Sequence, residues 1–358
     1  MMSENKKSFR RTYTLVILLI MLVALLALKF FHWKNSTDLP QEYQNNLNLN
    51  EYLQQHMPLL QNPFAGSDKI NLGETELVAY EAGFSARDGE LVRVLVSKPQ
   101  GAGPFPVMII VHGVMADDLT TNQTAKVLAD PLSKKLGIIT VTVDWRESKF
   151  GQGDLTDVVS TVDWVKKLQE AKDQPVLLFG EDHGAYLSLL ALKDVSVDGL
   201  ISAYGYLDLF NLYDTWKNSA EESRREQADR LATRSGCAEE IDIASCLQSL
   251  SLNSLLDVKI PLLILHSQYD NYVPLAQAEL LNSLTAPDLT TFTIFTEVNN
   301  DSSQKIGHNF LQNTQAVGYE QGITAVVDWT NDLLNQLKSP ENSAVYVPII
   351  NSTDLVNP

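Results

Sequence analysis

The stretch Gly180-Glu181-Asp182-His183-Gly184 follows an apolar run, Pro175–Phe179, and opens a helical pattern over 183–192. Strand, tight turn and helix form the setting of a nucleophile elbow, G-x-S-x-G: its glycines let the helix pack close to the strand, and its central side chain stands at the top of a sheet. The central residue of this chain is Asp182. Taken alone the motif also reads as a helix cap, because Asp is a favoured N-cap residue. Two further stretches change its weight. Asp270 ends the run PLLILHSQYD, and His308 lies in Ile306-Gly307-His308-Asn309-Phe310. An acid that orients a histidine, and a histidine that accepts a proton, complete a nucleophilic site. Upstream, the apolar run VMIIV ends in His112-Gly113-Val114, a turn whose following backbone N–H can stabilise a developing oxyanion.

An aspartate at the elbow dictates a particular chemistry. A carboxylate that attacks an ester or amide carbonyl forms an anhydride, a high-energy and unproductive intermediate. Attack on saturated carbon instead opens an epoxide or displaces a halide and leaves an alkyl-enzyme ester, which water activated by His308 can hydrolyse. Such a reaction needs donors for the leaving oxygen or halide, and Tyr204, Tyr206, Tyr213 and Trp216 are the candidates. No HExxH, CxxC or phosphate-binding Gly-rich motif occurs, so no metal and no cofactor is implied.

The elements that must position these residues alternate. Leu91–Val96 has period two, while Val107–Val111, Ile138–Val143, Pro175–Phe179, Leu200–Ala203, Pro261–Leu265 and Thr290–Phe295 read as strands. Helical patterns fall around Asn122–Leu136, Val158–Leu168, His183–Leu192, Leu275–Leu284 and Val317–Leu337. The expected fold class is α/β, a mostly parallel central sheet with helices on both faces. Residues 206–256 break the alternation with a charged helical pattern, read either as an insertion over the C-terminal edge of the sheet or as a solvated decoration.

The stretches VMIIVHG, VTVDWRESKFGQGD, LLFGEDHGAYLSLLAL, VKIPLLILHSQYDNYVPLAQAELL and IGHNF are spread over about 105–337, most of the expected domain. On them the chain resembles the α/β-hydrolase superfamily, in its prolyl-oligopeptidase-like and dienelactone-hydrolase-like branches. The resemblance implies the α/β-hydrolase fold and the chain order nucleophile, acid, histidine. It implies that Asp270 orients His308, that His308 is the general base, and that the backbone N–H groups of Val114 and His183 form the oxyanion hole. It also implies Ser or Cys where this chain has Asp182. In the G-x-D-x-G elbow the sequence is similar to epoxide hydrolases and haloalkane dehalogenases, although those carry Trp where His183 stands. Two functions follow. One is a hydrolase acting on an epoxide or halide through Asp182, Asp270 and His308. The other is a catalytically inactive relative of serine-type hydrolases and peptidases that binds a ligand or protein. Ordinary serine peptidase or esterase turnover is not expected.

The chain has 358 residues with 27 Lys plus Arg against 44 Asp plus Glu, a net charge of −17. That balance disfavours nucleic acid and leaves a small molecule or peptide as the expected substrate. Tyr13–Leu28 is uncharged and apolar, with Lys6, Lys7, Arg10 and Arg11 before it and Trp33 after it. Residues 13–33 are expected to form a single transmembrane signal anchor, with 1–12 cytoplasmic and the rest extracytoplasmic; a cleaved signal peptide is the rival. A polar spacer over 34–72, a hydrolase domain over 73–338 and a tail over 339–358 complete the expected organisation. Cys237 and Cys246 are either a disulfide, as an extracytoplasmic location would permit, or two buried thiols.

Overall fold

Runs rich in aliphatic and β-branched residues form, among the described residues, eight strands that join in one sheet: β1 (Leu77–Ser85), β2 (Leu91–Pro99), β3 (Val107–Val111), β4 (Ile139–Asp144), β5 (Val176–Glu181), β6 (Gly199–Ala203), β7 (Leu262–Ser267) and β8 (Thr290–Phe295). The computed structural model describes residues 77–113, 120–253, 256–296 and 306–338. The expected anchor at 13–33, the spacer over 34–72, the tail over 339–358 and Val114 lie outside them. Among the described residues no helix is long and apolar enough to cross a membrane.

The strand order is β1-β2-β4-β3-β5-β6-β7-β8. β2 runs antiparallel to β1 and β4, and every pair from β4 onward is parallel. The chain therefore reverses its direction of travel across the sheet between β3 and β5, and ligand crevices form at such points, outside the carboxyl ends of the strands. β3 and β5 are buried along their whole length, which explains why they read as unbroken apolar runs rather than alternating ones.

Helices cover both faces. Val107, Ile109 and Val111 of β3 point into one core with α3 (Gly153–Val165) and α4 (His183–Ala191). Met108 and Ile110 point into the other. After the short α1 (Thr121–Thr124), that second core is closed by a π-helical turn at Ala125–Ala129, α2 (Asp130–Leu136) and the C-terminal helix α9 (Tyr319–Lys338).

Between β6 and β7 lie α5 (Leu209–Lys217), α6 (Glu222–Ser235) and α7 (Ile243–Leu250). Asp208 caps α5 and Asp242 caps α7, each accepting a backbone N–H three residues on, while α6 stops at Gly236 in left-handed conformation (φ 79°). A disulfide joins Cys237 to Cys246, so the end of α6 is tied to α7. Leu209, Leu212, Trp216, Leu231 and Leu247 are buried in the same core as α3 and α4. The insertion is thus packed into the domain and is not a solvated decoration. One further helix, α8 (Leu275–Ser283), follows β7.

Candidate catalytic site

Asp182 follows the last residue of β5 and sits at the N-cap position of α4 with φ 49° and ψ −114°, without a side-chain capping bond. A non-glycine residue held there costs about 1–3 kcal/mol of backbone strain, which the surroundings must impose. They do so by close approach. A Cβ on Gly184 would sit 1.9 Å from Val111 O, and one on Gly180 would sit 2.4 Å from Ala185 Cα. Glycine at both positions lets α4 press against the ends of β3 and β5 on either side of the turn. No backbone hydrogen bond from the His183 N–H is found among the described residues.

Asp270 lies beyond the end of β7. Its Oδ1 accepts the N–H groups of Tyr272 and Val273, both at 2.9 Å, and its Oδ2 stands 2.7 Å from His308 Nδ1. With Nδ1–H donating to that carboxylate, Nε2 is the atom turned toward the elbow, 3.8 Å from Asp182 Oδ1. The histidine loop is held from both sides. Ser267, the last residue of β7, donates its hydroxyl to Ile306 O, and Phe310 is buried against Phe295 with ring centroids 4.8 Å apart. The structure therefore brings Asp182, His308 and Asp270 together in one buried line, from two strand ends and a loop.

His183 goes elsewhere. Its ring is 1% exposed and lies within the core beneath the elbow, with Nδ1 at 2.9 Å from Tyr206 Oη and Nε2 at 3.2 Å from Asp154 Oδ2. Phe150 covers the ring at a centroid distance of 4.0 Å. Burial lowers the His183 pKa from its ordinary value, opposed by the hydrogen bond and charge of Asp154. A neutral ring satisfies both contacts when Tyr206 donates to Nδ1 and Nε2–H donates to Asp154. The His183 side chain is consequently a buttress within the core.

The expected donors to a leaving group are mostly committed to the protein itself. Tyr206 is bound to His183, Trp216 Nε1 donates to Tyr272 O at 2.7 Å, and Tyr204 donates to Glu181. Tyr213 is half-buried on α5 against the core. Tyr272 was not singled out by any motif, yet its ring lies 5.5 Å from that of His308. Its position two residues after Asp270 is the signal that could have found it.

The turn after β3 is held by a chain of polar contacts. His112 Nδ1 is 2.8 Å from Gly113 O and its Nε2 is 3.2 Å from Thr121 Oγ1, which donates to Asp144 Oδ1. Burial lowers the pKa of His112. Its ring is tied to backbone and threonine, a role in shaping the turn.

No protein-family model and no curated protein matches the sequence. Solved structures do match. A hyperthermophilic esterase from the archaeon Pyrobaculum calidifontis superposes with a TM-score of 0.56 at 15% identity, covering 74% of this chain and 87% of its own. A fungal esterase from Rhizomucor miehei gives 0.56 at 16% identity, over 87% of this chain and 97% of its own. An acylaminoacyl peptidase from Pyrococcus horikoshii gives 0.53 at 17% identity; 72% of this chain matches, spanning 42% of that larger protein. With an eight-stranded, mostly parallel sheet and an elbow after its fifth strand, the chain has the fold of the α/β-hydrolases.

Proposed function

We propose that the protein is a membrane-anchored hydrolase in which Asp182 attacks saturated carbon. The observation that carries this reading is the line Asp182–His308–Asp270, with His308 Nε2 at 3.8 Å from Asp182 Oδ1 and Nδ1 at 2.7 Å from Asp270. In the first step an Asp182 oxygen forms a bond to carbon while the bond to an epoxide oxygen or halide breaks; the leaving atom takes the electron pair, and an epoxide oxygen is neutralised by a proton from solvent water. In the second step water attacks the ester carbonyl and gives its proton to His308 Nε2, with Asp270 compensating the imidazolium. The tetrahedral intermediate is stabilised by the His183 N–H. Its collapse expels the alkoxide, which takes the proton back from His308 and leaves as an alcohol or diol, and loss of the water's remaining proton to solvent restores the Asp182 carboxylate. The strained elbow supports this reading, because strain of this kind is tolerated where it holds a reacting group in place. Anchoring rests on the apolar run Tyr13–Leu28 with its preceding cations.

A second reading, an inactive relative that binds a ligand or protein, draws on a different observation. Tyr206 and Trp216 have spent their polar tips on the protein, and Asp182 is fully buried. One experiment separates the two. His308→Gln incubated with panels of epoxides and haloalkanes should accumulate an ester on the peptide containing Asp182, seen as a mass adduct. No adduct in the variant and no turnover by the unmodified protein on any panel member would favour the second reading.

A further inference from the structure

β5 ends on Glu181, the residue before Asp182, and the Glu181 side chain is fully buried. Its Oε1 accepts the hydroxyl of Tyr204, which is buried as well. The two residues meet because the register of β5 and β6 sets Glu181 opposite Ala203. Tyr204 then turns out of β6 with φ 39°. Its N–H donates to Leu265 O at 2.8 Å, and the N–H of Asp182 donates to Ala203 O at 3.1 Å. Tyr204 is thereby fixed by its backbone to β7 and by its hydroxyl to β5. The ring between those fixed ends meets the His308 imidazole edge-on, with centroids 5.0 Å apart, and Phe310 at 5.3 Å. Tyr272 stands 5.5 Å from the same imidazole.

A buried carboxyl carries a desolvation penalty, and an apolar pair of similar volume would fill the space without it. What the polar pair adds is direction. A phenol held at its tip has one ring position, and the neighbouring imidazole is packed against that position. We propose that Glu181 and Tyr204 are positioning residues that hold His308 in the orientation from which Nε2 faces Asp182. The proposal rests on the reading of His308 as the base. Neither residue touches the reacting atoms; both act through the imidazole.

The test uses the full-length protein labelled with ¹⁵N-histidine, with His308→Gln identifying the His308 ring signals. The Nδ1–H bonded to Asp270 should be protected from solvent exchange in the unmodified protein. Tyr204→Phe and Glu181→Leu should each speed its exchange about tenfold, the scale of one lost hydrogen bond. Glu181→Gln, which still accepts from the phenol, should change it less than about twofold. The double variant Tyr204→Phe/Glu181→Leu should be no worse than either single one, because both remove the same bond. Unchanged exchange in folded Tyr204→Phe overturns the proposal, as does equal loss in Tyr204→Phe and Glu181→Gln, which would mark a general loosening. Should Glu181→Leu fail to fold, Tyr204→Phe and Glu181→Gln alone decide. An unprotected Nδ1–H in the unmodified protein overturns the catalytic reading itself, and the positioning role with it. Protection that is present but indifferent to Tyr204→Phe overturns the positioning role alone.

Discussion

Two aspartate–histidine pairs flank the same elbow. On one side Asp154 holds His183, and on the other Asp270 holds His308. Both rings are almost entirely buried, and both touch a carboxylate through one nitrogen. They differ in what the second nitrogen meets. For His183 it is the Tyr206 hydroxyl at 2.9 Å, a closed contact within the protein. For His308 it is the Asp182 carboxylate at 3.8 Å, beyond a direct hydrogen bond and at the place where chemistry would occur. Identical residue types thus become a fastener on one side and a candidate base on the other. The distinction lies in what the second nitrogen meets, a hydroxyl at hydrogen-bonding distance or a carboxylate at 3.8 Å.

Three substitutions press on that contrast. The largest effect is expected at His308. His308→Ala should lower turnover of any substrate found by about 10⁴-fold or more, with a small change in melting temperature, measured by steady-state kinetics and calorimetry on the same preparation. A variant that keeps its turnover but melts many degrees lower would erase the difference between the two sides. His183→Phe should do the reverse. It leaves Asp154 and Tyr206 without their buried partner and should reduce stability by about 2–4 kcal/mol in urea unfolding. The same variant sharpens the contrast through pH. Burial lowers the pKa of His183, His112 and His266. Below about pH 6.5 the unfolded chain binds protons that the folded chain refuses, so stability falls as pH drops through that range. Removing His183 should flatten the slope by up to about 1.4 kcal/mol per pH unit, the contribution of a single group. The smallest effect is expected at Trp216→Phe, which gives up the bond to Tyr272 O beside Asp270. A loss of about 1 kcal/mol in urea unfolding is expected. A much larger loss would mean that the His308 side is propped from α5 as firmly as the His183 side is from α3.

Much of this molecule is legible before folding, for physical reasons that differ by element. β3, β5 and β7 announce themselves because strands buried on both faces are continuous apolar runs. β1 does not, since Leu77–Ser85 includes Glu81 and Gly83 and has one end half-exposed. The elbow is local, five consecutive residues, so Asp182 could be singled out from its neighbours alone. Asp270 and His308 could be singled out because each follows a strand. The fasteners could not. Tyr206 and Asp154 reach His183 across 23 and 29 residues, and Tyr204 reaches Glu181 across 23. Those meetings depend on sheet register and helix placement, which no short window contains. The same gap explains why Tyr204, Tyr206 and Trp216 read as donors to a substrate. Aromatic residues with a polar tip near an insertion look available until the fold supplies their partners.

The conformation at Asp182 reaches beyond catalysis into how this protein can change over time. The backbone there is bent by the contacts of Gly180 and Gly184 with their surroundings, whatever side chain stands between them. A different residue at the apex would inherit the same presentation without any remodelling of the sheet. Glycine would relieve the strain and give a more stable, inert chain. The turn is thus a fixed mount with an exchangeable tool, and the tool in place sets which bonds the fold can break.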